Sequence, residues 1–173
     1  MTTLEQILDN YSKLCAYCDS FFSSMRQIYG QDMKCAKGCS ACCELTSVSM
    51  LEAYVISRNI ISGNEPKNEA KAGAGIGDFG VCIMLKNNEC CIYQYRPLIC
   101  RTHGCVIAMD EQKNKRATCI LNFIGNNLKT FPNQHVFDSS RITDNLMRLN
   151  LAFCIEQGTK ELSAERISLS DLL

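Results

Sequence analysis

Residues 34–44 have the sequence K-C-A-K-G-C-S-A-C-C-E, in which four cysteines fall within nine positions: Cys35, Cys39, Cys42 and Cys43. An apolar core does not require such a density of thiols, whereas closely spaced thiolates present several soft ligands to one metal ion. Consecutive side chains point in different directions, so Cys42 and Cys43 rarely reach the same ion. The pair therefore indicates either two neighbouring sites or one thiol held beside the ligands. The stretch predicts half of a metal site.

A second group of cysteines follows later in the chain and predicts the other half of the site: Cys82, Cys91, Cys100 and Cys105. Eight thiols suffice for two four-thiolate sites, or for one site with spare cysteines. Zinc and an iron–sulfur cluster both accept ligation by thiolates alone, so the spacing leaves both cofactors open. Arg96 and Arg101 flank the second group. They would bind the cofactor by donating N–H groups to sulfur, or else form surface salt bridges.

Length and composition exclude several classes of protein. The 173 residues are enough for one domain with its own core, and we expect a single domain over residues 1–173. Lys and Arg number 18 and so do Asp and Glu, which argues against a general nucleic-acid partner. The sequence has no run of about 18 apolar residues, so we expect no membrane-spanning helix and no membrane partner.

The cysteine count bears on the compartment. The chain has 13 cysteines, an odd number that disulfides cannot pair completely. The first residues, M-T-T-L-E-Q, lack the basic region of a secretory signal. Both features favour a reduced, cytoplasmic metal protein over a secreted disulfide scaffold.

Apolar residues at three- and four-residue steps predict the helices. A long helix over residues 3–29 has Thr2 or Thr3 available as its cap, and Cys15 and Cys18 lie on or beside its apolar stripe. We expect these two cysteines and Cys154 to pack as small apolar side chains and not to bind metal. A second helix over 49–61 begins with the capping box formed by Ser49 and Glu52. A helix over 139–157 is expected to pack against the first one.

The segments between these helices complete the predicted fold. Residues 62–80 contain half of the ten glycines and predict a flexible internal loop. Short apolar runs over 81–85 and 90–93 predict a hairpin, and residues 118–128 predict a further helix. The expected fold class is mainly α with a small β-hairpin. It would be a compact helical domain around cysteine-ligated metal, with a metal-binding core over residues 34–105.

The ordered motifs resemble a known family. The pattern C-x3-C-x2-C-C, then C-I-M-L at 82–85, then C-I-Y-x2-R-P-x2-C-R-x3-C at 91–105, is similar to the cysteine-cluster family of zinc- or iron-chelating domains. The resemblance covers residues 34–105 and implies these metal ligands: Cys35, Cys39, Cys42, Cys43, Cys82, Cys91, Cys100 and Cys105. Cys90 is an extra neighbour of Cys91, and either of the two would serve as the ligand. A related cluster occurs in flagellin lysine N-methylases.

The leading interpretation is a protein that binds zinc or an iron–sulfur cluster through thiolates, with any protein partner left open. The methylase resemblance implies an alternative, a cluster-dependent modifying enzyme that uses S-adenosylmethionine. The spacing Cys35-x3-Cys39-x2-Cys42 also occurs in radical S-adenosylmethionine enzymes, but this chain is too short for their barrel. A third interpretation is a metal-stabilised adaptor module. An exchangeable ligand would favour the enzyme, and four cysteines on every metal would favour the module.

Overall fold

The first helix, α1 (Leu4–Tyr29), is the longest helix of the computed structural model, which describes residues 2–61, 81–109 and 114–173. Its start is fixed by a reciprocal capping box. The Thr3 hydroxyl accepts a hydrogen bond from the Gln6 N–H, and the Gln6 side chain accepts one from the Thr3 N–H. The predicted helix over 3–29 is confirmed. The predicted loop over 62–80 lies outside the described residues.

The second helix, α2 (Met50–Ile61), also begins where its capping box predicts. The buried Glu52 carboxylate accepts a hydrogen bond of 2.9 Å from the Ser49 hydroxyl and one of 3.1 Å from the backbone N–H of Leu98. Leu98 is the first residue of a short helix, α3 (Leu98–Thr102). Glu52 therefore fixes α2 against α3 while satisfying its own buried charge.

The fourth helix, α4 (Ser139–Glu156), packs against α1 as predicted. Between the helices lies one buried apolar cluster: Ile7, Tyr11, Cys18, Leu51, Leu98, Phe137, Phe153 and Cys154. Cys18 and Cys154 are fully buried in it, consistent with their expected packing role. None of the described helices is long and apolar enough to cross a membrane.

The described strands are all short: β1 (Ser47–Val48), β2 (Leu85–Lys86), β3 (Glu89–Cys90), β4 (Val106–Ala108), β5 (Arg116–Ala117), β6 (Val136–Phe137) and β7 (Ile167–Ser168). β2 and β3 form the predicted hairpin, with shorter strands than expected and a turn at Asn87 and Asn88. β1 pairs with β7, and β4 lies between an antiparallel β5 and a parallel β6. The described part of the chain is therefore mainly helical with small sheets.

The predicted helix over 118–128 is wrong, because the structure has a loop there. Phe123 has a φ of 53° and Gly125 a φ of 82°, in the left-handed region that a right-handed helix cannot contain. The Phe123 N–H donates to the Asp32 carbonyl at 2.8 Å. That bond docks the loop beside the first cysteine segment.

Candidate metal centre

Two consecutive turns shape the first cysteine segment. The Cys39 N–H donates to the Ala36 carbonyl at 3.0 Å, and the Cys43 N–H donates to the Ser40 carbonyl at 2.9 Å. Gly38 has a φ of 86°, a conformation that residues with a side chain rarely adopt. Each turn folds the chain back over four residues, so the cysteines of this segment stay close in space.

Four thiols share one neighbourhood around this segment. Burial, together with the neighbouring thiols of Cys43, Cys119, Cys35 and Cys39, raises the pKa of Cys42 to about 12. Such coupling requires proximity. We call Cys35, Cys39, Cys42 and Cys119 the first thiol group. Cys119 is not among the predicted ligands, because no close spacing in the sequence links it to the other cysteines.

A second neighbourhood adjoins the first. The Cys82 N–H donates to the Cys43 carbonyl at 2.7 Å, which joins the hairpin segment to the first cysteine segment. Burial raises the pKa of Cys100 to about 12, followed by contributions from Cys90, then Cys82, Cys43 and Cys42. Cys90 is thus the strongest thiol neighbour of Cys100, which lies on α3. The second thiol group comprises Cys43, Cys82, Cys90, Cys91 and Cys100.

Backbone amides point at two sulfurs of the second thiol group. Burial raises the pKa of Cys82, and a hydrogen bond from the backbone of Met84 lowers it. Burial raises the pKa of Cys90 to about 11, although a hydrogen bond from the backbone of Ile92 lowers it. Hydrogen bonds of this kind favour the thiolate, the form that binds metal. These bonds offset part of the effect of burial, and the net pKa of both thiols is still above its ordinary value.

The cysteines of each thiol group are neighbours, but their sulfur atoms are not arranged as a coordination sphere. Among the described residues, no three His, Cys, Asp or Glu side chains converge closely enough to hold a metal ion. All 13 cysteines lie in the described residues and are free thiols. The sulfur of a cysteine turns about a single bond between staggered positions, so neighbouring thiols change their separation without backbone movement. A set of sulfur donors alone fits zinc and iron.

Cys105 is set apart from the other predicted ligands. It is fully buried, and its side chain belongs to an apolar cluster that includes Met25 and Phe123. Burial raises the pKa of Cys105 to about 12, with smaller contributions from the thiols of Cys35 and Cys18. Cys105 therefore lies beside the first thiol group through Cys35 and faces α1 on its other side.

The two arginines bind oxygen atoms. Arg96 donates to Asp19 at 2.7 Å and its guanidinium lies over the Tyr93 ring, 4.1 Å from the centroid. Arg101 is buried, pairs with the other oxygen of Asp19 and donates to the Arg96 and Gln94 carbonyls. These bonds correspond to the salt-bridge alternative, and they hold the α3 segment against α1. A hydrogen bond from either arginine to sulfur stays a prediction.

We expect Asp19→Ala to lower the free energy of unfolding by about 1–3 kcal/mol, because it leaves the buried Arg101 without its anion. The matched control is Asp9→Ala, since Asp9 forms an exposed pair with Lys13 on the same helix. The control should change stability by no more than about 0.5 kcal/mol. Urea unfolding of both variants measures the difference. Equal losses would show that the α3 anchor adds nothing beyond a surface ion pair.

Comparison with known protein families gives a match over the cysteine-rich part of the chain. Residues 34–120 match the CxxCxxCC family, which is described as a putative zinc- or iron-chelating domain. No curated protein and no solved structure matches the chain. The resemblance to flagellin lysine N-methylases therefore gains no support. The match reaches beyond Cys105 and includes Cys119, so the matched region contains both thiol groups.

Proposed function

The chain belongs to the CxxCxxCC family of zinc- or iron-chelating domains, and from this membership we propose that it binds metal through two adjoining sets of cysteine thiolates. The observation that carries the proposal is the division of the cysteines into two thiol groups. The neighbours of Cys42 are Cys43, Cys119, Cys35 and Cys39, and those of Cys43 are Cys82, Cys39 and Cys42, so this adjacent pair lies where the two groups meet.

The proposed ligands follow from the family positions and the two groups. The first set is Cys35, Cys39 and Cys42 with a fourth thiolate, for which Cys105 and Cys119 are the candidates. The second set is Cys43, Cys82 and Cys100 with either Cys90 or Cys91. Four thiolates on each metal leave no position for a substrate. This arrangement favours a metal-stabilised binding module over an S-adenosylmethionine enzyme.

The surroundings support thiolate ligation. Four thiolates around zinc, or around an oxidised four-iron cluster, leave a net negative charge that must be compensated by nearby donors. The backbone hydrogen bonds to the Cys82 and Cys90 sulfurs supply part of that compensation. The 13 free thiols suit a reducing compartment, which for this chain we propose is the cytoplasm.

The test is metal analysis of the full chain purified without oxygen, together with its visible absorption spectrum. We expect zinc or iron in a fixed ratio to the protein. A broad visible absorption would identify an iron–sulfur cluster, and a colourless metal-bound protein would identify zinc. Protein that contains neither metal, and stays metal-free after incubation with Zn²⁺ or with iron and sulfide, would overturn the proposal.

Cys90 and Cys91 provide a matched pair of variants. We expect Cys90→Ser to lose the metal of the second set and Cys91→Ser to retain it, because Cys90 is the strongest thiol neighbour of Cys100 and accepts the Ile92 hydrogen bond. Elemental analysis measures the loss, and circular dichroism checks that both variants keep their helices. Metal loss in Cys91→Ser alone would assign the ligand to the position that the family resemblance implied.

A further inference from the structure

The loop after β5 is docked on the segment that precedes the first cysteine. The Asn122 N–H donates to the Cys119 carbonyl at 2.9 Å, which closes a tight turn between these two residues. The Lys34 N–H donates to the Asn122 side-chain oxygen at 2.7 Å. Together with the bond from Phe123 to Asp32, this contact fixes the loop against the residue immediately before Cys35.

The other end of the Asn122 amide faces sulfur. Its nitrogen donates to the Gly104 carbonyl at 2.8 Å and to the Cys35 sulfur at 3.2 Å, and the residue is 3% exposed. The amide therefore binds two segments that are distant from it in sequence, residues 34–35 and Gly104. An N–H donor held by burial beside a sulfur is the kind of support that orients a metal ligand.

The same turn places Cys119 beside the first cysteine segment. Cys119 is partly buried, and its thiol couples to those of both Cys35 and Cys42. Cys105 is fully buried and couples to Cys35 and to Cys18 of α1. Of the two candidates for the fourth thiolate, Cys119 neighbours two members of the set, Cys35 and Cys42, whereas Cys105 neighbours Cys35 and belongs to an apolar cluster.

We propose that Cys119 supplies the fourth thiolate of the first set, with Cys35, Cys39 and Cys42, and that Asn122 is the positioning residue that hydrogen-bonds the Cys35 sulfur. This inference rests on the proposed function and adds the loop of residues 119–122 to its site. Cys105 then serves as a core thiol, in the same way as Cys18 and Cys154.

The experiment titrates metal-free full-length protein with Co²⁺ and follows the sulfur-to-cobalt absorption. Cys119→Ser is expected to weaken one site at least about tenfold. It should also lower the absorption of that site by about a quarter, because one thiolate of four is lost. Cys105→Ser and the control Cys15→Ser should leave both sites unchanged. Full absorption and affinity in Cys119→Ser, with losses in Cys105→Ser, would overturn the inference.

Asn122→Asp tests the positioning role, because the carboxylate keeps the acceptor for Lys34 and removes the donor to the Cys35 sulfur and to the Gly104 carbonyl. We expect a weakening of Co²⁺ binding of about 10–100-fold with the number of thiolates unchanged. The absorption should shift to longer wavelength, since the Cys35 sulfur becomes more electron-rich. A purely structural asparagine would change stability without moving the band, and that result would overturn the role.

A measurement on the unaltered chain avoids any effect of substitution on folding. Alkylation should modify Cys119 slowly when Zn²⁺ is bound and rapidly after chelation. The partly exposed Cys15 should react at the same rate in both states, and mass spectrometry measures both rates. Equal rates at Cys119 in the two states would overturn the inference. Binding of neither Co²⁺ nor Zn²⁺ by the wild-type chain would instead overturn the proposed function, so the two failures are distinguishable.

Discussion

Chelation of the metal is expected to remove hydrogen-exchange protection from residues 34–44 and from 81–105, while α1 and α4 keep most of theirs. The first cysteine segment is held by two turns and has few large apolar side chains. It cannot offset a backbone ordering cost of about 1–2 kcal/mol per residue. Structural metal binding supplies about 10–16 kcal/mol, enough to hold these segments in place.

The terminal helices differ because they share an apolar cluster of their own. Ile7 and Cys18 of α1 and Phe153 and Cys154 of α4 are buried in it. The free energy needed to open these two helices should therefore be nearly the same with and without metal. Hydrogen exchange read by mass spectrometry measures both regions in one experiment, and metal added back after chelation is the control. Equal loss of protection in α1 and α4 would reveal a single cooperative unit. Unchanged protection in the cysteine segments would show that the metal does not stabilise the fold.

The elements that the sequence predicted correctly depend on local signals. The apolar stripe and the Thr3 capping box define α1 within one turn of the chain, and the same holds for the Ser49 box of α2. The sheet of β4, β5 and β6 was not predicted, because its parallel pair brings Val106 beside Val136. A strand of two or three residues has no periodicity that predicts such a distant partner.

The candidate site shows the same difference between features with a local signal in the sequence and contacts between distant residues. That Cys42 and Cys43 serve different sets stays a prediction, and it rests on their adjacency, a local fact of backbone geometry. The approach of Cys119 to Cys35 had no local signal, because it depends on the docking of a loop through Asn122. The loop itself was mistaken for a helix, since the left-handed backbone of Phe123 is enforced by its contact with Asp32 and not by its own residue type.

Gly104→Ala is expected to destabilise the protein strongly and to abolish metal binding at the first thiol group. A β-carbon at this position would overlap the Cys35 sulfur and lie 3.0 Å from the Asn122 amide nitrogen. The φ of Gly104 is 101°, where a side chain adds strain of about 1–2 kcal/mol. Overpacking against neighbours that are themselves fixed adds about 1–3 kcal/mol. The second thiol group should keep its metal, because Gly104 contacts none of its members among the neighbours described.

Gly125→Ala is the control that separates the steric clash at Gly104 from its backbone strain. Gly125 has a φ of 82° with no atom within 4 Å of an added β-carbon, so its substitution adds backbone strain alone. Urea unfolding gives the two free energies, and elemental analysis gives the metal retained by each variant. We expect Gly125→Ala to keep full metal content and to lose less stability than Gly104→Ala. Since the two backbones are similarly strained, the excess loss at Gly104 measures how firmly the Cys35 sulfur is held. Equal losses of stability and full metal content in both variants would show that the Cys35 sulfur moves freely away from residue 104. They would also show that the first thiol group does not depend on the position of that sulfur.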